Sequence, residues 1–238
     1  MKQHLALSLI LPLMLTTPDI EAQSKPVQPL TWKVAGVLPA ANGQATSLGV
    51  AGPVTGTHNN ALIVAGGANF PDAMPWLGGK KKYYSEGFVF QRDKNDSLIL
   101  TRSFLLPLSL AYAANCSTPQ GLVVAGGENE EGLRSDVLLL QWDEAAQIVG
   151  VKSLPSLPFA VTNASLAFHQ NRLYLAGGER ANDVSNELWT LDLRNTAAGW
   201  RLCPRCPNPC RMQCWWCSRT VKKIVFTCWV DASAIPVA

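Results

Sequence analysis

Three stretches of this 238-residue chain carry the same apolar run ending in a double glycine: Ala61-Leu-Ile-Val-Ala-Gly-Gly67, Gly121-Leu-Val-Val-Ala-Gly-Gly127 and Arg172-Leu-Tyr-Leu-Ala-Gly-Gly178. The doublets stand 60 and then 51 residues apart. After each comes a polar stretch and a second apolar run: Ser85-Glu-Gly-Phe-Val-Phe90, Ser135-Asp-Val-Leu-Leu-Leu140 and Asn186-Glu-Leu-Trp-Thr-Leu191. One unit has been copied. Short aliphatic runs at regular spacing, punctuated by Gly, Pro and Asn, predict antiparallel sheet rather than helix. The glycines are expected where a strand leaves the crowded inner part of each sheet, because a residue without Cβ allows a sharp exit and close backbone approach.

A period near 50 residues, a diglycine, and a downstream Trp142 or Trp189 resemble the Kelch repeat, and the likeness covers about 170 residues. It implies an all-β fold, an incomplete Kelch-type β-propeller of about three blades plus a stub, with the tryptophans packed between neighbouring blades. Each unit follows a Pro-marked linker, Leu38-Pro39, Leu106-Pro107 and Leu154-Pro-Ser-Leu-Pro158, and a fourth begins at Trp200. Three blades and a stub do not close a ring, so an unpaired face and edge are expected.

Outside the repeats the chain divides by composition. Lys2 followed by the apolar stretch Leu5 to Leu15 and then Ala22 reads as a secretory signal over residues 1–22, with the mature chain starting near Gln23. The apolar stretch is too short to span a bilayer and contains Pro12, so no membrane anchor is expected and the location is periplasmic or secreted. The whole chain has 47% apolar and 16% charged residues, ordinary for a globular protein. A net charge of +3, with Lys80-Lys81-Lys82 as the longest basic run, excludes the footprint of a nucleic-acid partner.

Residues 201–238 differ from the propeller at 23–200. Six of the seven cysteines lie there, together with Trp215, Trp216 and Trp229. One reading is zinc, since Cys203-x2-Cys206, Cys210 and Cys214-x2-Cys217 have spacings that tetrahedral zinc accepts; disulfides are the commoner use of secreted cysteines. The other is a shifted reading frame. Reading the third base of each codon with the first two of the next allows Leu202 to Pro207 to become Leu-Pro-Ala-Leu-Pro, matching the linker at 154–158. The same shift allows Phe226 to Asp231 to become Tyr-Leu-Leu-Gly-Gly. On that reading the tail has no fold of its own, and no metal site is expected.

The first unit is the most individual. Gly49-Val-Ala-Gly52 and Gly56 lead into Asn60-Ala-Leu-Ile-Val-Ala-Gly-Gly-Ala-Asn-Phe-Pro71, then Met74-Pro-Trp76 and Gly78-Gly-Lys80. This resembles the cyclically permuted mutarotase family, related to N-acetylneuraminate epimerase; having the Ala-Gly-Gly-Ala-x-Phe unit first suggests the permuted branch. The resemblance implies interconversion of the anomers of a sugar acid, sialic acid, without a cofactor. A base takes the anomeric hydroxyl proton, an acid protonates the ring oxygen, and the open carbonyl form rotates and recloses. An arginine can hold the sugar's carboxylate through two parallel hydrogen bonds.

Gly127-Glu128-Asn-Glu-Glu-Gly132-Leu133-Arg134-Ser-Asp136 resembles the family's pattern of Gly-Glu followed by Gly-Leu-Arg, with Glu128 six residues before Arg134. It makes Glu128 and Arg134 the candidate catalytic pair, although family order places that motif in the blade before Ala-Gly-Gly-Ala. An acidic surface loop accounts for the same residues, and Glu179-Arg180 stands at the equivalent place in the next unit. Trp76, in a stretch of 17 residues between Gly67 and Ser85, is a candidate to stack on a sugar face, and Lys80 to bind its charge. Lys81, Lys82, Tyr83 and Tyr84 offer the same anionic-sugar lining or a solvated loop. His58 and His169 lack metal-ligand partners at useful spacing, and Cys116 reads as a buried thiol. No nucleophile elbow, phosphate loop or zinc helix motif is present. The alternatives to a mutarotase are a non-catalytic Kelch module that binds a glycan or protein, and an inactive product of a degraded gene.

Overall fold

The computed structural model describes residues 31–40 and 45–203. Residues 31–34 fall in an N-terminal unit separate from the one that begins at Ala35, and hold no strand or helix. The expected signal segment, and the tail beyond residue 203, lie outside the described residues.

Each sequence repeat becomes one four-stranded antiparallel sheet. The first contains Val54–His58, Ala61–Ala65, Glu86–Arg92 and Leu98–Leu105. The second contains Ala114–Thr118, Gly121–Ala125, Val137–Asp143 and Ile148–Leu154. The third contains Ser165–His169, Arg172–Ala176, Leu188–Asp192 and Arg201–Leu202. The strands follow chain order across every sheet, so each sheet is a meander and a propeller blade. Just after Trp200, read as the opening of a fourth unit, Arg201–Leu202 supplies the third blade's outer strand, with Leu202 opposite Trp189.

Local chemistry explains the corners. The turn after the first strand puts Asn59 and Asn60 at φ 46° and 59°, and the third blade repeats this with Gln170 at 48° and Asn171 at 61°. Two successive left-handed residues make the hairpin turn whose twist suits antiparallel strands, and Asn tolerates that region best after Gly. The diglycines do what their composition predicts. Gly66 and Gly126 lie at φ 64° and 66°, and a Cβ on them would sit 2.3 Å from the Leu110 carbonyl oxygen and 2.4 Å from that of Val161. Those same oxygens accept the N–H of Gly67 and Gly127, each at 2.7 Å. The doublet therefore lets the chain entering the next blade lie directly on the strand end.

Burial follows the stacking of blades. In the first blade Ala61, Ile63 and Ala65 are buried while Leu62 and Val64 are half-buried, the period-2 pattern of a sheet covered better on one face. In the second blade all of Gly121–Ala125 is buried, because a neighbour covers each face. One core cluster joins Val54, Ile63 and Val89 to Leu122, Leu140 and Trp142; another joins Val123, Val137 and Leu139 to Leu173, Leu175 and Leu191. Trp142 is 1% exposed between the first two blades, and its backbone is held from the first blade by His58 Nδ1, which accepts its N–H at 3.0 Å, and Asn59 Nδ2, which donates to its carbonyl at 2.8 Å. Trp189 packs in the second cluster, its ring 5.3 Å from that of Phe159. The linker leucines Leu106 and Leu157 are buried, and each donates its N–H to the blade it has just left, at Ser85 and Ser135.

Candidate functional site

Antiparallel register places the starts of the first strands, the ends of the second and the starts of the third at one end of each blade, as Val54, Ala65 and Gly87 show. The loops after the diglycines all emerge there. Each folds back onto the segment that precedes its own blade through a bridge, Ala51 with Ala68, Ala111 with Glu128 and Thr162 with Glu179. Ala68, Glu128 and Glu179 thus occupy one station of the repeat, and two of the three present a carboxylate on the same face.

Glu128 is the better furnished. Tyr83 donates its hydroxyl to Glu128 Oε1 at 2.7 Å, and Lys81 Nζ reaches the same oxygen at 3.1 Å. Both donors belong to the long loop of the first blade, whose ends Ala68–Asn69 and Lys82–Tyr83 pair as a short ribbon. The Lys81 ammonium also lies 5.0 Å from the Tyr112 ring centroid and 5.5 Å from that of Tyr83. Burial pulls the Lys81 pKa down, but the hydrogen bond and charge of Glu128 outweigh it and the net shift is upward. Burial, then the bond to Glu128, pushes the Tyr83 phenol up, so it keeps its proton. Next to this group Glu130 accepts from Ser109 Oγ at 2.7 Å and from the Tyr83 N–H at 3.2 Å. The Ser109 bond is the main cause holding its carboxyl below the usual value.

Both donors use Oε1 of Glu128, and among the described residues none hydrogen-bonds Oε2. Arg134 stands across the loop's own ribbon, where Leu133 pairs with Glu128 and the Arg134 N–H donates to the Gly127 carbonyl at 2.8 Å. Its guanidinium is engaged by Asp136 Oδ2 at 3.0 Å and Glu131 Oε2 at 2.8 Å rather than by Glu128. Glu131 is 77% exposed, so that half of the clamp is readily displaced.

The other sequence candidates lie apart. Trp76 is 76% exposed on the 3-10 turn Pro75–Leu77, and Lys80 is exposed; neither makes a hydrogen bond or ion pair among the described residues. It is Lys81, one residue on, that meets Glu128. The pleat explains the choice, since alternate residues share a face: Lys81 and Tyr83 turn to Glu128, while Lys82 lies 5.1 Å from the Tyr84 ring and Tyr84 donates to Asn69 Oδ1 at 2.7 Å. Position parity divides the run into Lys80 with Lys82 and Lys81 with Tyr83, and the packing of the blades selects the second set.

In the third blade Glu179 accepts from Asn163 Nδ2 at 3.4 Å. Arg180 pairs with Glu187 and packs its guanidinium 4.0 Å from the Phe159 ring centroid. His58 holds the backbone of Trp142, and Cys116 is partly buried in the central blade, burial pushing its thiol up to about 12. Among the described residues no cluster of three metal-binding side chains occurs, and no helix is long and apolar enough to cross a membrane. The cysteines proposed as zinc ligands beyond Cys203 lie outside the described residues.

Three meander blades stacked through repeated diglycine corners, with loop carboxylates gathered on one face, define an incomplete Kelch-type β-propeller. The solved chain titled "Structure of YjhT" shares this fold, with a TM-score of 0.52 at 14% identity over 69% of this chain and 55% of that one. The family model described as N-acetylneuraminate epimerase matches residues 13–149, and the chain belongs to that family. Relatives named N-acetylneuraminate epimerase include one from Brucella melitensis, 35% identical over 123 residues, which are 48% of this chain and 31% of that protein. Another, from Vibrio vulnificus, is 35% identical over 118 residues, 46% of this chain and 29% of the relative. The chain therefore spans about three tenths of the curated relatives it matches.

Proposed function

We propose that this chain forms part of a periplasmic sugar mutarotase that interconverts the anomers of N-acetylneuraminate, with Glu128 as the base. The observation that carries this is the asymmetric Glu128 carboxylate, held at Oε1 by Tyr83 and Lys81 with no hydrogen bond to Oε2 among the described residues, in a chain of the epimerase family. The two donors orient the carboxylate by holding one of its oxygens, as a positioned base requires. Oε2 takes the proton of the anomeric hydroxyl as the bond from anomeric carbon to ring oxygen breaks. That bond's electron pair stays on the ring oxygen, which takes a proton from solvent water, and a carbonyl forms at the anomeric carbon. Rotation about the neighbouring bond followed by the reverse steps gives the other anomer. Arg134 receives the sugar's carboxylate by exchanging Glu131 for it. The periplasmic location rests on the signal-like residues 1–22.

The engagement of Arg134 by two loop carboxylates favours a second reading, a propeller face that binds a glycan without catalysing exchange. Exchange spectroscopy of N-acetylneuraminate with the 238-residue chain separates the two. The mutarotase reading expects cross-peaks between anomers that grow with protein concentration and vanish in Glu128→Gln. Exchange at the uncatalysed rate refutes it, and saturable binding without exchange supports the second.

A further inference from the structure

Among the described non-glycine residues with positive φ, all but one are Asn, Asp or Gln. The exception is Tyr112, at φ 55°. Its repeat equivalents are Gly52, at 59°, and Asn163, at 53°, residue types that tolerate the left-handed region. The backbone shape itself has a structural cause. Tyr112 donates its N–H to the Gly52 carbonyl at 2.8 Å, and Asn163 donates to the Tyr112 carbonyl at 3.0 Å, so the three residues form a ladder from blade to blade. The ladder asks for a left-handed residue, and Gly or Asn satisfies it at lower cost. It gives no reason for a phenol.

The phenol's surroundings supply one. The ring packs beside Gly52, where a Cβ would stand 2.4 Å from Tyr112 Cδ1, so glycine at that station makes room for it. Its face lies 5.0 Å from the Lys81 ammonium, which sits at the end of a flexible stem on the long first-blade loop. We propose that Tyr112 is a positioning residue, whose ring face holds the Lys81 ammonium against Glu128 Oε1 and so leaves Oε2 presented to the ligand. The catalytic consequence rests on the reading of Glu128 as base; the positioning of Lys81 does not.

Three variants test it. Tyr112→Phe keeps the ring, while Tyr112→Asn and Tyr112→Gly copy the residues at the equivalent stations and are expected to melt at or above the parent temperature. The Lys81 side chain is titrated by carbon NMR, with Lys81→Arg for assignment. The charged and titratable groups facing it are Glu128, Tyr83 and Tyr112. The Tyr112 phenolate also raises the Lys81 pKa by its charge, and all three variants lack it. A cation–π contact of about 0.5–1 kcal/mol corresponds to about 0.4–0.7 pH unit, so the Lys81 midpoint is expected to lie that much lower in the Asn and Gly variants than in the Phe variant, which alone keeps the ring face. A midpoint in both ring-less variants equal to that of the Phe variant overturns the proposal, with or without activity. If the parent chain exchanges anomers, Tyr112→Asn is expected to lower kcat about threefold or more with KM little changed, and a parent-like kcat overturns it. No exchange in the parent counts against Glu128 as base, and the Lys81 titration then decides the positioning alone.

Discussion

The Tyr83 hydroxyl and Glu128 Oε1 stand 2.7 Å apart, although one belongs to the loop of the first blade and the other to that of the second. This bond and the Lys81 ion pair fasten neighbouring loops over the blade junction. A hydrogen bond to a charged acceptor is worth about 1.5–3 kcal/mol when well buried and less here, where both partners are half-exposed.

Tyr83→Phe is therefore expected to cost about 1 kcal/mol in urea unfolding while leaving the fold intact. The pH dependence has a definite sign. The folded-state pKa of Tyr83 is raised above its ordinary 10.0, so its contribution is complete below about 10 and is lost as the pH climbs through the folded value. Carbon NMR of the tyrosine ring should show its midpoint moving down in Glu128→Gln. No movement would mean that the carboxylate is not its partner in solution.

Gly126→Ala joins two penalties. The residue is at φ 66°, which costs a side chain about 1–2 kcal/mol, and the new Cβ would stand 2.4 Å from the Val161 carbonyl oxygen. Overpacking adds about 1–3 kcal/mol. The expected loss exceeds about 2 kcal/mol by chemical denaturation, whereas Gly132→Ala, with open space around its Cβ and φ 116°, should show the backbone penalty alone.

Asp192 ends the third strand of the third blade and is bound by Arg194 and Arg172. The side-chain hydrogen bond from Arg194, followed by its backbone N–H, brings the carboxyl down from 3.8 to about 2. A lowered folded-state pKa gives stability that is present above the unfolded value and lost as pH falls through the folded one. The melting-temperature difference between the parent and Asp192→Asn should be constant above about pH 5 and close as the pH falls to about 2. A difference that persists at pH 2 would assign the effect to packing.

Cys116, in the inner strand of the central blade, has its thiol pushed up to about 12 by burial, so only about one molecule in ten thousand holds a thiolate at pH 8. Alkylation at pH 8, mapped by mass spectrometry to the peptide carrying residue 116, should be at least ~100-fold slower in the folded protein than in urea. Equal rates would show that the central blade opens readily.

The three diglycine runs and the second apolar runs were legible in the residues as strands, because chain sterics and period-2 burial act over a few neighbours. Trp142 was legible as a blade-to-blade residue for a related reason: a large apolar ring at a fixed distance from the diglycine must be covered by the next copy. The hairpin at Gln170-Asn171 was harder to read, since Gln lacks the left-handed preference of Asn and is carried by the register of the strands on either side.

What the sequence by itself determined is therefore the repeat, the strands, the glycine corners and the face on which the loops emerge, all consequences of local rules applied three times. Tertiary structure decided which lysine meets Glu128, that both its donors choose one oxygen, that Arg134 turns to Glu131 and Asp136, and that Tyr112 takes its backbone shape from the ladder between blades. Those outcomes depend on the pleat parity of one short ribbon and on how closely successive blades approach. Residues as far apart in the chain as Lys81 and Glu128 have their separation set only once the blades have stacked.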